Sequence, residues 1–225
     1  MSKPTHEQDG LPQTFERLPI FPLHRVQLFP RAMLPLYVFE PRYREMTAAC
    51  LAGDGLLAIA QLKPGFEKDY QGRPPVRAMA GLGKIIAHKQ NPDGTYNILL
   101  EGLWRVRIDE ELPPDRSYRE VIAHRVRDRI AADLNEEQVR ETLRSLVDKL
   151  ARFIGEGGQT LLRLCAETRR LPCLIDVLSS ALVRTPALRR RLFECRDLAV
   201  RADLLTVSLA KLVAGLNQGG DSSLN

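Results

Sequence analysis

Residues 18–46 read LPIFPLHRVQLFPRAMLPLYVFEPRYREM, and this stretch decides the fold. Pro19, Pro22, Pro30 and Pro35 stand among Leu, Ile, Val, Phe and Tyr, a pattern that suits short strands broken by fixed bends rather than a helix. Proline cannot donate to a sheet ladder, so these strands are predicted at edges or corners. Phe21, Leu23, Val26, Leu28, Leu34, Leu36 and Val38 then supply the buried side chains. At Pro41 the pattern changes: proline suits the first turn of a helix, and Tyr43, Met46, Ala49 and Cys50 follow at helical spacing.

Working outward, residues 1–15 are polar, contain Pro4, Gly10 and Pro12, and read as a disordered leader. Beyond the first helix, LLAIAQL at 56–62 reads as a buried strand, and the strand signal returns from Val76 to Lys89. Asn91-Pro92-Asp93-Gly94 lies between two strand-like runs and predicts a tight hairpin, because Asp-Gly accepts the positive φ such a turn needs. In the second strand of that hairpin Trp104, Val106 and Ile108 alternate with Arg105 and Arg107, which places Trp104 in the core and the two arginines on the other face. Gly102 interrupts this strand, as expected at a bend that lets a small sheet curl into a barrel. Tyr118–Val126 gives the last strand.

From Asn135 the hydrophobic period becomes helical. Asn135 and Gln138 form a capping-box pattern, and Val139, Leu143, Leu146, Val147, Leu150 and Ile154 make the apolar stripe, with Arg140 facing water. Gly155, Gly157 and Gly158 are read as ending that helix, with a shorter segment over 160–168. Pro172 opens another helix, Thr185-Pro186 a short one, and Asp197 caps the last, whose stripe is Leu205, Leu209, Leu212, Val213 and Leu216. Strands followed by helices make an α+β chain. The predicted division is a leader over 1–15, a β-rich lobe over 16–128, a helical lobe over 129–218 and a flexible tail over 219–225.

With 225 residues and 44% apolar content the chain can bury a substantial core. The formal charge is +5, and the segment 163–201 alone carries a surplus of that size, nine Arg against four acids. No signal-peptide core and no run of about 18 apolar residues is present, which points to a cytoplasmic protein without a membrane partner. Cys50, Cys165, Cys173 and Cys195 are too scattered for a disulfide framework and read as reduced.

Several motifs together resemble the amino-terminal substrate-recognition domain of Lon proteases: LPIFPL at 18–23, FPRAMLPL at 29–36, GLGKI at 81–85, NPDGTYNILLEGLWRVRI at 91–108 and LPCLIDVLSSAL at 171–182. The resemblance covers 18 to about 216. It implies a PUA-like β pseudo-barrel lobe followed by a helical bundle, 16–218 forming one domain, and a non-catalytic module that binds protein or peptide. Complete Lon proteases continue into an ATPase and a Ser-Lys peptidase module, whereas FEPRYREM at 39–46 is similar to stand-alone Lon-domain proteins, and the expectation is therefore a recognition domain without those modules. No GxxxxGK[ST] phosphate loop occurs in residues 1–225, and no cofactor is expected. Partners implied are unfolded or degron-bearing polypeptides, or a protein partner, with a role in quality control or proteolysis.

Candidate binding residues follow from position. Arg42, Tyr43 and Arg105 are candidates for the rim of a groove between the lobes, and Arg184, Arg189, Arg190 and Arg191 form the densest positive patch. PUA-like domains in other proteins bind RNA, so that patch carries the alternative expectation of a nucleic-acid-associated protein, although only Phe193 lies near it to stack on a base. Ser145 and Lys149 share a helix face without an oxyanion site and read as solvated residues; His6, His24, His88 and His124 have no motif partner and read as ordinary histidines.

Overall fold

Strand β1 (Thr14–Leu23) begins inside the segment expected to be a leader, and its Phe15 is already buried. The computed structural model describes residues 11–221, with side chains to 216. The last helix runs to Asp221 and takes in the first three residues of the expected tail; residues 1–10 and 222–225 of the expected leader and tail fall outside the described residues. The described chain divides between Arg127 and Asp128 into two units.

The first unit continues with β2 (Met33–Val38), helix α1 (Pro41–Ala52), β3 (Leu56–Leu62), β4 (Val76–Gln90), β5 (Tyr96–Glu111) and β6 (Arg119–Val126). The sheet order is β2-β5-β4-β3-β1-β6, and a further β5–β6 pairing closes five strands into a ring, with β2 attached outside it. The β1–β3 pair is parallel, and the crossover between its strands carries α1. The predicted hairpin joins β4 to β5; the Asp93 carboxylate accepts from the Thr95 amide at 3.0 Å and hydroxyl at 2.7 Å.

The proline-bearing strands were expected at edges or corners, and β2 with Pro35 lies at the end of the sheet order. β1 contains Pro19 and Pro22 yet lies between β3 and β6 rather than at an edge. The strand changes partner at Ile20, residues 14–20 pairing with β6 and residues 20–23 with β3. Each proline therefore meets a ladder on one side only, Pro19 with β6 and Pro22 with β3.

Inside the ring, alternate residues of all five strands make one core. Leu18, Ile20, Leu82, Trp104, Val106 and Val121 contribute the bulk, while Ala58, Ala60, Ala80 and Ala123 leave room for the indole. The expectation for Trp104 holds. A second core lies between the sheet and α1, where Tyr43, Met46 and Cys50 meet Phe21, Leu57 and Ile59, and the Phe21 and Tyr43 rings stack with centroids 4.2 Å apart.

The loop between β1 and β2 lies across the sheet, with Leu28 and Phe29 fully buried. A Cβ added to Gly81 would fall 2.2 Å from the Leu28 carbonyl oxygen, and one on Gly102 would fall 2.1 Å from the Phe29 carbonyl oxygen, so both strands need glycine where this backbone crosses. The loop is tied to Gly102 from both sides: the Gly102 amide donates to the Ala32 carbonyl at 2.8 Å, and the Arg31 amide donates to the Gly102 carbonyl at 2.7 Å. Gly102 is also where β5 changes partner, 96–101 pairing with β2 and 105–111 with β6.

The second unit contains α2 (Glu136–Ile154), α3 (Glu156–Glu167), α4 (Leu171–Leu182), α5 (Pro186–Glu194) and α6 (Leu198–Asp221), with α6 packed on α2, α4 and α5. Asn135 caps α2 by accepting from the Gln138 amide at 3.1 Å, and Asp197 caps α6 through the Val200 amide at 3.2 Å. Gly155 alone breaks α2, at φ +62°, and Gly157 and Gly158 lie within α3 instead of ending a helix. In α6 the buried line runs Leu198, Ala202, Leu205, Leu209, Val213; Leu212, one residue off it, is 43% exposed, contrary to its place in the expected stripe. Ile154 is likewise exposed. Arg140 does not face water: it donates to the Thr168 carbonyl at 3.0 Å and to that of Arg169, closing the open C-terminal carbonyls of α3.

Arg201, fully buried in α6, bonds Asp176 of α4 at 3.1 Å and Asp128 at 3.0 Å. Removing the guanidinium leaves two carboxylates facing each other in a poorly solvated site. Arg201→Leu is expected to destabilise the helical unit by about 3–5 kcal/mol, measured by chemical denaturation followed by far-ultraviolet circular dichroism. A loss below about 1 kcal/mol would show that the triad does not hold the bundle.

Candidate functional site

Two features of the first unit's surface stand out. The first is β2. Among the described residues it pairs only with β5, and Pro35 removes a donor at its middle, as suits an edge strand. The pleat sends Leu34 and Leu36 toward the core and Met33, Pro35 and Tyr37 outward. Met33 is 54% exposed and Tyr37 55%, and Phe39, just past the strand, is 60% exposed and stacked on Tyr37 with centroids 6.0 Å apart. The result is a strip of large apolar side chains along an open strand edge.

The second feature is a cavity of about 150 Å³ at the start of α1, walled by Arg42 and Tyr43, the 71–73 loop and the 114–119 segment. Arg42 donates to Glu40 at 3.0 and 3.1 Å and to the carbonyls of Tyr70 and Gln71, and its guanidinium lies over the Tyr43 ring at 4.7 Å and the Tyr70 ring at 5.4 Å. The Tyr70 hydroxyl donates to Glu40 at 2.9 Å. Arg119 is buried and binds Glu111 through two donors, at 2.7 and 2.6 Å, and the Pro74 carbonyl at 2.8 Å; Arg73 shares Glu111 at 2.7 Å. Burial pushes the Tyr43 phenol up to about 12, with Arg42 acting the other way, so it stays neutral at physiological pH. Burial would raise the Glu111 carboxyl, but the hydrogen bonds and charges of Arg119 and Arg73 outweigh it and hold that group below its ordinary value of 4.5.

Comparison with known proteins assigns the chain. Residues 17–211 match the family model for the ATP-dependent protease La (LON) substrate-binding domain. The chain belongs to that family. Among similar proteins, the Lon protease of Heliobacterium modesticaldum is 26% identical over 209 residues, covering 91% of this chain and 25% of that protein. The Lon protease of Xanthomonas oryzae pv. oryzae is 27% identical over 193 residues, covering 84% and 22%. The chain thus spans about a quarter of the length of these relatives. Its fold is that of the N-terminal domain of Mycobacterium avium complex Lon protease (TM-score 0.65, 17% identity, 87% of this chain and 98% of that one) and of the Lon N-terminal domain protein from Xanthomonas campestris (TM-score 0.59, 19% identity, 86% and 98%).

Within this Lon domain the residues singled out from sequence are separated. Arg42 and Tyr43 meet at the cavity, but Arg105 is not on its wall: it is 3% exposed, in β5, with its guanidinium 5.9 Å from the Phe29 ring centroid. Strict alternation placed Arg105 on the face opposite Trp104; the crossing loop covers it there, through Phe29. Of the basic patch, Arg184 and Arg191 are exposed and Arg190 partly so, whereas Arg189 donates to the carbonyls of Ser179, Ser180 and Val183, closing the end of α4. Burial, then the charge of Arg184, lowers the Arg189 pKa. Ser145 and Lys149 are both exposed on α2. His124, without a motif partner in sequence, bonds Asp109 across β5 and β6 at 2.7 Å as an exposed pair. Met33, Tyr37 and Phe39 were not singled out from sequence; with Leu34, Leu36 and Val38 assigned to the core, the alternation around Pro35 is the signal that could have found them on the opposite face.

The depressed Glu111 pKa gives a signed expectation. Its stabilisation is present above the ordinary glutamate value and is lost as pH falls through the lower folded value. Melting temperatures of wild type and Glu111→Gln should differ at neutral pH, and the difference should shrink as pH falls below the ordinary glutamate value and through the lower folded one. A difference that persists unchanged in acid would refute the charge-based account of this cluster.

Proposed function

We propose that this domain recognises polypeptide, holding exposed apolar stretches of unfolded or degron-bearing chains on the β2 strip without catalysing a reaction on them, in the service of proteolysis. The carrying observation is the exposure of Met33, Tyr37 and Phe39 side by side on a strand edge. Large apolar side chains left in water at one place mark an interaction surface, and an open edge offers backbone donors and acceptors to an extended segment. The family to which the chain belongs is described as substrate-binding, and the Lon proteases it resembles are the setting in which such a module would serve.

Half-burying two aromatic side chains in a complex is worth on the order of 2 kcal/mol, enough to read by mutation. Fluorescence polarisation with a labelled, reduced and alkylated model protein is expected to show binding at tens of micromolar. The double variant Tyr37→Ser, Phe39→Ser should weaken it about tenfold while melting as wild type does. Equal binding by wild type and variant would contradict the strip as the recognition surface. Affinity that collapses with added salt and survives these substitutions would favour a nucleic-acid-type, charge-driven surface at Arg184, Arg190 and Arg191 instead.

A further inference from the structure

Every charged side chain lining the cavity at the start of α1 is an arginine: Arg42, Arg73, Arg116 and Arg119. The acids of the neighbourhood stand outside the lining and, apart from Asp69, whose carboxylate lies beside Gly72, are already engaged. Glu40 takes Arg42, and Glu111 is divided between Arg73 and Arg119. Glu45 accepts from Ser117 at 2.6 Å, and Arg17 pairs with Glu120 at 2.6 Å and Asp115 at 3.7 Å. Arg116 is exposed and has no carboxylate or hydrogen-bond partner among the described residues.

A guanidinium presents donors in a planar fork that matches a carboxylate or phosphate, and charge-assisted bonds of this kind are about twice as strong as neutral ones. Arg73 and Arg119 share a single negative charge, and Arg116 has none to answer it. The other wall is aromatic and neutral, from Tyr43 and Tyr118. A space of about 150 Å³ suits a small group such as a carboxylate or phosphate.

We infer that this cavity is an anion subsite that takes one carboxylate or phosphoryl group, with Arg116 as its principal contact and Arg73 as the second. The site stands on its own geometry and does not depend on the β2 strip, so each can fail while the other holds. Its ligand class also differs: the strip selects apolar side chains, whereas the cavity selects one negative group.

Titration of the full chain, labelled with nitrogen-15 and followed through its arginine Nε–H resonances, tests this with three probes: inorganic phosphate, an acetylated tripeptide with a free terminal carboxylate, and the same tripeptide amidated. Saturable shifts confined to Arg73, Arg116 and their cavity neighbours are expected with phosphate or the tripeptide acid, and not with the amide. Arg116→Gln should weaken that binding about tenfold, with Arg184→Gln leaving it unchanged. Because Arg116 is exposed and unpaired, its replacement should leave the melting temperature in place. Saturation by phosphate alone would identify a phosphoryl ligand; saturation by the acid alone, a polypeptide C-terminus. No saturable shift with either anion, shifts spread over all exposed arginines, or undiminished binding by Arg116→Gln would each overturn the assignment.

Discussion

The backbone of Leu28 and Phe29 lies directly on strands from which side chains have been removed, at Gly81 and Gly102, and the rest of the first unit depends on that contact. The loop shares its face of the sheet with α1, Leu28 joining Tyr43 and Met46 in one core. Arg25 and Arg31, on either side, adopt left-handed backbone at φ 59° and 67°, a conformation non-glycine residues rarely hold unless their surroundings impose it. Burial of Leu28 and Phe29 and the two hydrogen bonds to Gly102 offset that strain. The same crossing sits where β5 passes from β2 to β6, so it separates the strand that carries the apolar strip from the strands that frame the arginine cavity.

Arginine does structural work throughout this chain. Arg201 joins α4, α6 and Asp128, Arg140 and Arg189 close helix C-termini, and Arg119 locks the 74 and 111 segments together. A planar, always-charged fork can satisfy several carbonyls or a whole carboxylate from a buried position, which lysine cannot do as well. The basic surplus of residues 163–201 is for this reason a poor guide to the surface, since Arg189 and Arg201 answer groups of the protein itself.

What could be read in advance was what neighbours in sequence determine. The Asp93-Gly94 hairpin, the caps at Asn135 and Asp197 and the alternation that buries Trp104 each rest on a few adjacent residues. The α+β architecture followed from the change of period, and the Lon-type resemblance from motifs spread along the chain. Long-range placement was not legible. Nothing local to Pro19 and Pro22 reveals that β1 changes partner between them, and nothing local to Arg105 reveals a loop above it. Of the site, Arg42 and Tyr43 were visible as a helix start, but Arg73, Glu111, Arg116 and Arg119 come together only through the ring closure of β5 on β6.

The dependence on the Leu28–Phe29 crossing is tested most directly by the unfolding free energy of Gly102→Ala. An alanine that fits its backbone without strain stabilises by about 0.4–1 kcal/mol through the unfolded chain, so an open position would show a small gain. Here the new methyl would meet the Phe29 carbonyl at 2.1 Å, a backbone atom held by its own bonds. The expected result is a loss of about 3 kcal/mol or more, or failure of the first unit to fold. A neutral or stabilised variant would contradict the claim that this contact organises the domain.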